Sequence, residues 1–236
     1  MIAYIFVVHG SRNPNYRHQL HKLTENITKL LSKEGFSPLL TTAYLELENQ
    51  PLSFKISDFA QECAIKGYAT LKILPLFLLS GTHVLQDIPQ QVEIARLSSS
   101  IPLELMPHLG KSEDLMALLQ NKYQQQPTTH RILLSHGTSI TQGNQEIKAI
   151  AQKLNANIAY WSIFPYFANI IDNLLNYNPE SIAIVPYFLF SGKITETIEQ
   201  EIVLRSKNTK TKLIFIPPFG ATKELAQVIV KQVINN

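Results

Sequence analysis

Cysteine is almost missing from this chain of 236 residues: Cys63 is the single one. One thiol cannot form an internal disulfide, nor supply the cysteine cluster of a zinc or iron–sulfur site. That usage fits a reducing compartment, so the cytoplasm is the expected location. Charge is scarce as well, with Asp, Glu, Lys and Arg at 17%. A net charge of +3 with no Lys/Arg block argues against nucleic acid as a partner. No apolar run approaches the ~20 residues that a membrane-spanning helix needs. The first residues enter a strand directly, without the basic n-region and cleavage site of a secretory signal, and no membrane partner is expected. Hydrophobic residues make up 45% of the chain, enough for a substantial core with large buried faces.

What is present is present twice. IAYIFVVHGSR ends a hydrophobic run in His9-Gly10-Ser11, and RILLSHGTS ends another in His136-Gly137-Thr138. Pro75, Phe77, Leu78, Ser80 and Gly81 return as Pro186, Phe188, Leu189, Ser191 and Gly192 at a constant spacing of 111 residues. MPHLGKSEDL from Met106 returns as IPPFGATKEL from Ile216 at a spacing of 110. Such self-similarity marks an internal duplication. The copies differ in their chemistry: the first carries His83 where the second has Ile194. The working site is therefore expected in the first half.

Hydrophobic patterning alternates strand and helix. Ile2 to Val8 is a continuous β-branched and aromatic run, as in a strand buried on both faces. Leu20, Leu23, Ile27, Leu30 and Leu31 recur at helical spacing over residues 14–34, and Gly35 ends that helix. Further strands are predicted at 39–45, 71–79 and 102–106, with helices at 51–67, 84–97 and 111–125. The same order returns as strands near 131–135, 157–163, 181–188 and 212–216, with a last helix at 221–234. The polar stretch Gln124 to Thr129, which contains Pro127, falls where the repeat restarts. The expected architecture is α/β: two similar lobes, residues 1–126 and 127–236, each a parallel sheet flanked by helices. Because the duplication already supplies two lobes, a monomer is expected.

In open parallel sheets ligands bind beyond the carboxyl ends of the strands. His9, Glu46 and His83 follow the ends of the first three strands, so topology gathers them on one rim. Two imidazoles and a carboxylate can hold a borderline divalent metal, and they can also accept protons near neutral pH. Metal insertion into a tetrapyrrole needs both.

The segments VVHGSRNP (Val7 to Pro14), AYLELENQP (Ala43 to Pro51) and LPLFLLSGTHVLQDIP (Leu74 to Pro89) resemble the class II chelatases, the cobalto- and ferrochelatases of sirohydrochlorin. The resemblance runs through the first lobe in order, and the second lobe follows as a degenerate repeat. It implies an enzyme without a prosthetic group that inserts Fe2+ or Co2+ into sirohydrochlorin, for sirohaem or cobalamin, in a cleft between two α/β lobes. Carried over by position, His9 and His83 contact the metal and Glu46 assists as the acid–base group. The histidine-rich tail and iron–sulfur cysteines of some longer members are missing. In the second lobe, aligning AYLEL with AYWSI sets Ser162 against Glu46, and Ile194 replaces His83, so one active site is expected.

The substrate that the resemblance implies carries several carboxylates. Arg12 and Ser11, near a helix N-terminus, and Lys193, at the Thr82 position of the second lobe, are candidates to bind them. Ser80 and Gly81 are expected to form a tight turn that lets a flat ligand approach the backbone, through a positive φ at glycine. The aromatics Tyr160, Trp161, Phe164, Tyr166 and Phe167 fit either a core or a stacking surface. His18 and His21 read as solvated helix residues, His108 as a rim residue behind the site, His136 as structural or cleft-lining, and Cys63 as a small buried apolar group. Two rivals stand beside the chelatase. A hydrolase using His9 is one, although the Arg-His-Gly order of histidine phosphatases is missing because Val8 precedes His9. A non-catalytic protein that binds or delivers metal or tetrapyrrole is the other.

Overall fold

In a computed structural model, which describes residues 1–235, eight strands and eight helices alternate along the chain. The first four strands are β1 (Ile2–Val8), β2 (Leu40–Tyr44), β3 (Thr70–Pro75) and β4 (Leu103–Leu105). Between and after them run α1 (Pro14–Lys33), α2 (Leu52–Ile65), α3 (Ile88–Arg96) and α4 (Glu113–Gln124). The second series is β5 (His130–Ser135), α5 (Thr141–Lys153), β6 (Asn157–Tyr160), α6 (Phe167–Leu175), β7 (Ser181–Pro186), α7 (Lys193–Ser206), β8 (Lys212–Phe215) and α8 (Lys223–Asn235). Both sheets are parallel and four-stranded, in the orders β2-β1-β3-β4 and β6-β5-β7-β8. The expected α/β fold of two similar lobes is what the chain adopts.

Helix ends follow local chemistry. The Asn13 side chain accepts the Asn15 amide at 2.9 Å, and Pro14 supplies a preset φ at the first helical position of α1. At the other end Gly35, with φ +80°, lets the Phe36 amide turn back to the Leu31 carbonyl at 2.9 Å. The buried face of α1 is Leu20, Leu23, Ile27 and Leu31, the spacing read from the sequence.

Each sheet is covered on both sides. In the first, Ala3, Ile5 and Val7 of β1 pack with Leu52, Ile56, Phe59, Ala60 and Cys63 of α2 and with Ile88, Val92 and Ala95 of α3. The alternate residues Tyr4, Phe6 and Val8 are buried on the opposite face. There α1 packs on α8, and the Tyr4 hydroxyl donates to the Val233 carbonyl at 3.1 Å. In the second, α6 and α7 cover Ile132, Leu134, Ile182 and Ile184, while α4 and α5 contact β7, β5 and β6.

The compact units cut across the two repeats. One unit comprises Met1–Ser112 together with the C-terminal segment from Ala221, and the other comprises Glu113–Gly220. The last helix of each repeat has been exchanged. The reason is in the contacts: α8 is held by α1, by Tyr4 and by Gln232 donating to the Pro107 carbonyl at 2.7 Å. In turn α4 lies against β7, with the buried Tyr123 hydroxyl donating to the Ile132 carbonyl at 2.7 Å. Neither pairing leaves a trace in local sequence.

A second feature distinguishes the copies. Between β3 and α3 the chain makes a π turn over His83–Asp87, closed by the Ile88 amide on the His83 carbonyl. Residues 75–81 match 186–192 at a spacing of 111, but the buried Ile88 and Val92 match the buried Ile198 and Ile202 at 110. The first copy therefore holds one extra residue between 81 and 88. One residue more than an α-helix can accommodate is taken up as a π turn. Pro89 favours the break, since it has no amide to give and its ring would press on the carbonyl four residues back.

Candidate metal and tetrapyrrole site

The rim of the first sheet is built by main-chain bonds that continue past the strands. The Leu45 amide donates to Val8 at 2.8 Å, Glu46 to His9 at 2.9 Å and Leu76 to Val7 at 2.8 Å. These bonds carry the His9 loop beside the Glu46 loop. Gly10 makes the approach possible: its φ is +106°, and a Cβ there would lie 2.4 Å from the Glu46 carbonyl oxygen.

On this rim His9, Glu46 and His83 converge, each offering a ligand atom within 4.8 Å of the others. His9 Nε2 lies 3.8 Å from Glu46 Oε2, and His83 Nε2 lies 3.8 Å from Glu46 Oε1. The two imidazoles meet edge to face with centroids 4.9 Å apart. A gap of 3.8 Å is too long for a hydrogen bond. It suits two ligands of one first-row ion, which stand roughly 3.0–4.2 Å apart for bonds of about 2.1 Å. Side-chain exposures of 48%, 47% and 33% for His9, Glu46 and His83 leave the group open to an incoming ligand. Phe77 forms an apolar wall, its ring 6.4 Å from that of His9 and 6.1 Å from that of His83.

Two residues stand behind this group: Asp87, to which the sequence reading gave no part, and His108, expected there as a rim residue. Asp87 Oδ2 lies 2.7 Å from His83 Nδ1. His108, buried, reaches the Phe77 carbonyl through Nδ1 at 2.9 Å and the Ser80 hydroxyl through Nε2 at 3.1 Å. It thus clamps the loop that leads to His83. The i, i+4 spacing of His83 and Asp87 on a helix was a readable signal for the first. For the second, the place behind the rim was readable from topology, but its partners, some thirty residues away, were not.

Other candidates fall elsewhere. Ser11 accepts the Asn13 amide at 3.1 Å and shapes the turn into α1, and Arg12 is exposed beside it. The tight turn expected at Ser80 and Gly81 is present, with the Gly81 amide donating to the Leu79 carbonyl at 2.9 Å; Ser80 is fully buried and its hydroxyl meets His108. Only the positive φ expected at Gly81 is corrected. Gly81 is not among the residues with positive φ, and its counterpart Gly192 is extended at φ −173°. Its role is instead to accept the Val84 and Leu85 amides, at 3.1 and 3.0 Å, as the helix begins. Lys193 is exposed at the first position of α7, in the other unit.

The second sheet repeats the scaffold without the same set of side chains. The Ser162 amide donates to the His136 carbonyl at 3.0 Å, as Glu46 does to His9, and Gly137 has φ +82°. The set there is His136, Ser162 and a partly buried Ile194 packed on the core. Of the aromatics, Tyr160 and Phe167 are core residues, whereas Phe164 and Tyr166 are exposed with rings edge to face at 6.4 Å. Cys63 is buried against the first sheet, and burial pushes its thiol up to about 11.

The chain as a whole has known counterparts. Sirohydrochlorin cobaltochelatase of Priestia megaterium is 25% identical over 226 residues, spanning 86% of this chain and 69% of that protein. Sirohydrochlorin ferrochelatase of Bacillus subtilis is 22% identical, spanning 85% and 78%. The solved structure of SirB from Bacillus subtilis with Fe3+ shares the fold, with a TM-score of 0.81 at 21% identity over 99% of this chain and 94% of that one. The CbiX family model matches residues 3–126 and again residues 130–236, on the two sides of the repeat boundary, and the chain belongs to the CbiX family.

Proposed function

We propose that this protein inserts Fe2+ or Co2+ into sirohydrochlorin, as the named relatives do, and that His9, Glu46 and His83 carry the step. The observation behind this reading is the convergence of two imidazoles and a carboxylate on the open rim of the first sheet. Metal insertion exchanges one divalent ion for two pyrrole N–H protons. The imidazole Nε2 atoms strip water from the ion and leave coordination positions open for the pyrrole nitrogens. As the ion crosses, Glu46 and the vacated imidazoles accept the protons. The metal is a substrate, so no prosthetic group is required. Fe2+ and Co2+ share these donors, and availability decides between them.

Arg12 and Ser11, on the turn that follows His9, and Lys193 in the other unit are proposed to meet the acetate and propionate carboxylates. Replacing Lys193 with Glu is expected to raise KM for sirohydrochlorin; an unchanged value removes it from the site. We further infer a monomer acting in the cytoplasm.

The deciding experiment is anaerobic. Purified protein, sirohydrochlorin and each metal in turn are followed by absorbance, with H9A and H83A beside the wild type. A metal-dependent spectral shift above the uncatalysed rate, lost in both variants, supports the proposal. Binding of metal or tetrapyrrole without accelerated insertion would favour a delivery protein instead.

A further inference from the structure

We propose that Asp87 is a positioning residue that fixes the tautomer and orientation of His83, so that Nε2 faces the metal. The inference rests on the metal role of His83 proposed above. Asp87 Oδ2 and His83 Nδ1 are 2.7 Å apart. An ionised carboxylate only accepts, so His83 donates from Nδ1, and its lone pair is left on Nε2. Nε2 is the atom that faces Glu46 Oε1 at 3.8 Å. Rotating the ring to offer the other nitrogen would break the carboxylate bond. A carboxylate behind a ligating imidazole also holds the plane of its ring.

The duplication supplies an internal control. The copy that has Ile194 in place of His83 also has no π turn and no acid at the Asp87 position. Aligned on the buried Ile88 and Ile198, Asp87 stands against Thr197, in a regular α-helix. The histidine, the extra residue and the carboxylate are missing as a set. His9 gives a second contrast, because its Nδ1 faces only the adjacent Gly10 carbonyl at 3.2 Å. His136 in the stripped copy makes the same local contact, with Gly137, at 3.0 Å. The local carbonyl contact thus belongs to the turn in either copy, whereas the carboxylate partner belongs to His83 and its π turn.

The test is Co2+ binding to the full chain without tetrapyrrole, read from the cobalt d–d absorption, with circular dichroism to check folding. D87A is expected to weaken Co2+ binding by about 10- to 100-fold, with part of the loss recovered in D87E. Because Asp87 acts through His83, H83A/D87A is expected to bind no more weakly than H83A alone. Wild-type affinity in folded D87A, alongside weakened binding in H83A, overturns the inference and leaves the metal role of His83 standing. A further full loss in the double variant overturns it too. Wild-type affinity in H83A removes the metal role itself, and this inference with it. Should D87A fail to fold, isosteric D87N is judged by the same cycle, with a smaller loss expected.

Discussion

The Glu46 amide donates to the His9 carbonyl at 2.9 Å, so these two site residues are tied through the main chain before their side chains approach. The bond depends on Gly10, whose hydrogen faces the Glu46 carbonyl where a methyl group would stand 2.4 Å away. Gly10→Ala is therefore expected to destabilise the protein by about 1–3 kcal/mol, since strain at φ > 0 adds to the clash. It should also lower insertion activity in the fraction that remains folded. Urea denaturation and the absorbance assay measure the two effects. A neutral variant would show that the two loops are not locked.

The two copies predict an asymmetric response to histidine loss. H9A, H83A and Glu46→Gln should each lower the insertion rate by about a hundredfold or more, the scale of a lost proton-transfer or ligand group. H136A, whose neighbours are Ser162 and Ile194, should turn over close to wild type. An H136A enzyme impaired as severely as H9A would indicate a second working site.

His108 is expected to matter through stability. His108→Ala removes the bonds to the Phe77 carbonyl and Ser80 hydroxyl and leaves a cavity, at a cost of about 2–4 kcal/mol. The loop entering His83 should loosen with it, so insertion falls as well. An unchanged urea midpoint would deny the clamp.

Cys63 gives a pH prediction. Burial holds its thiol at about 11, above the ordinary value of 9.0. Between those values the unfolded chain has lost the proton while the folded chain keeps it, so stability falls as pH rises. This contribution is complete below about 9 and gone once pH passes about 11. Cys63→Ala should therefore flatten the alkaline loss of stability measured in urea between pH 8 and 10.5. The folded wild type should also resist iodoacetamide at pH 8, with labelling only on unfolding. Rapid labelling of the native protein would contradict the burial.

The rim set of His9, Glu46 and His83 was legible because parallel strands buried on both faces read as unbroken apolar runs. The residue that ends such a run lies on the ligand rim by topology. The turn at Ser80 and Gly81 was equally legible, although the positive φ expected at Gly81 was not found. A Ser-Gly pair after a strand announces a turn, but which way the hydroxyl points depends on His108, which arrives from another strand.

By itself the sequence determined the alternation of strands and helices, the duplication, and which copy carries His9, Glu46 and His83 together. These are periodicity and identity, properties of neighbours along the chain. The tertiary structure alone decided that α8 packs with the first repeat and α4 with the second, because helix partners are chosen by packing faces that every amphipathic helix shares. It also decided the π turn that sets His83 over Asp87. A single extra residue shifts a spacing from 111 to 110. Only the burial of Ile88 and Val92 against the sheet reveals where the helix took it up.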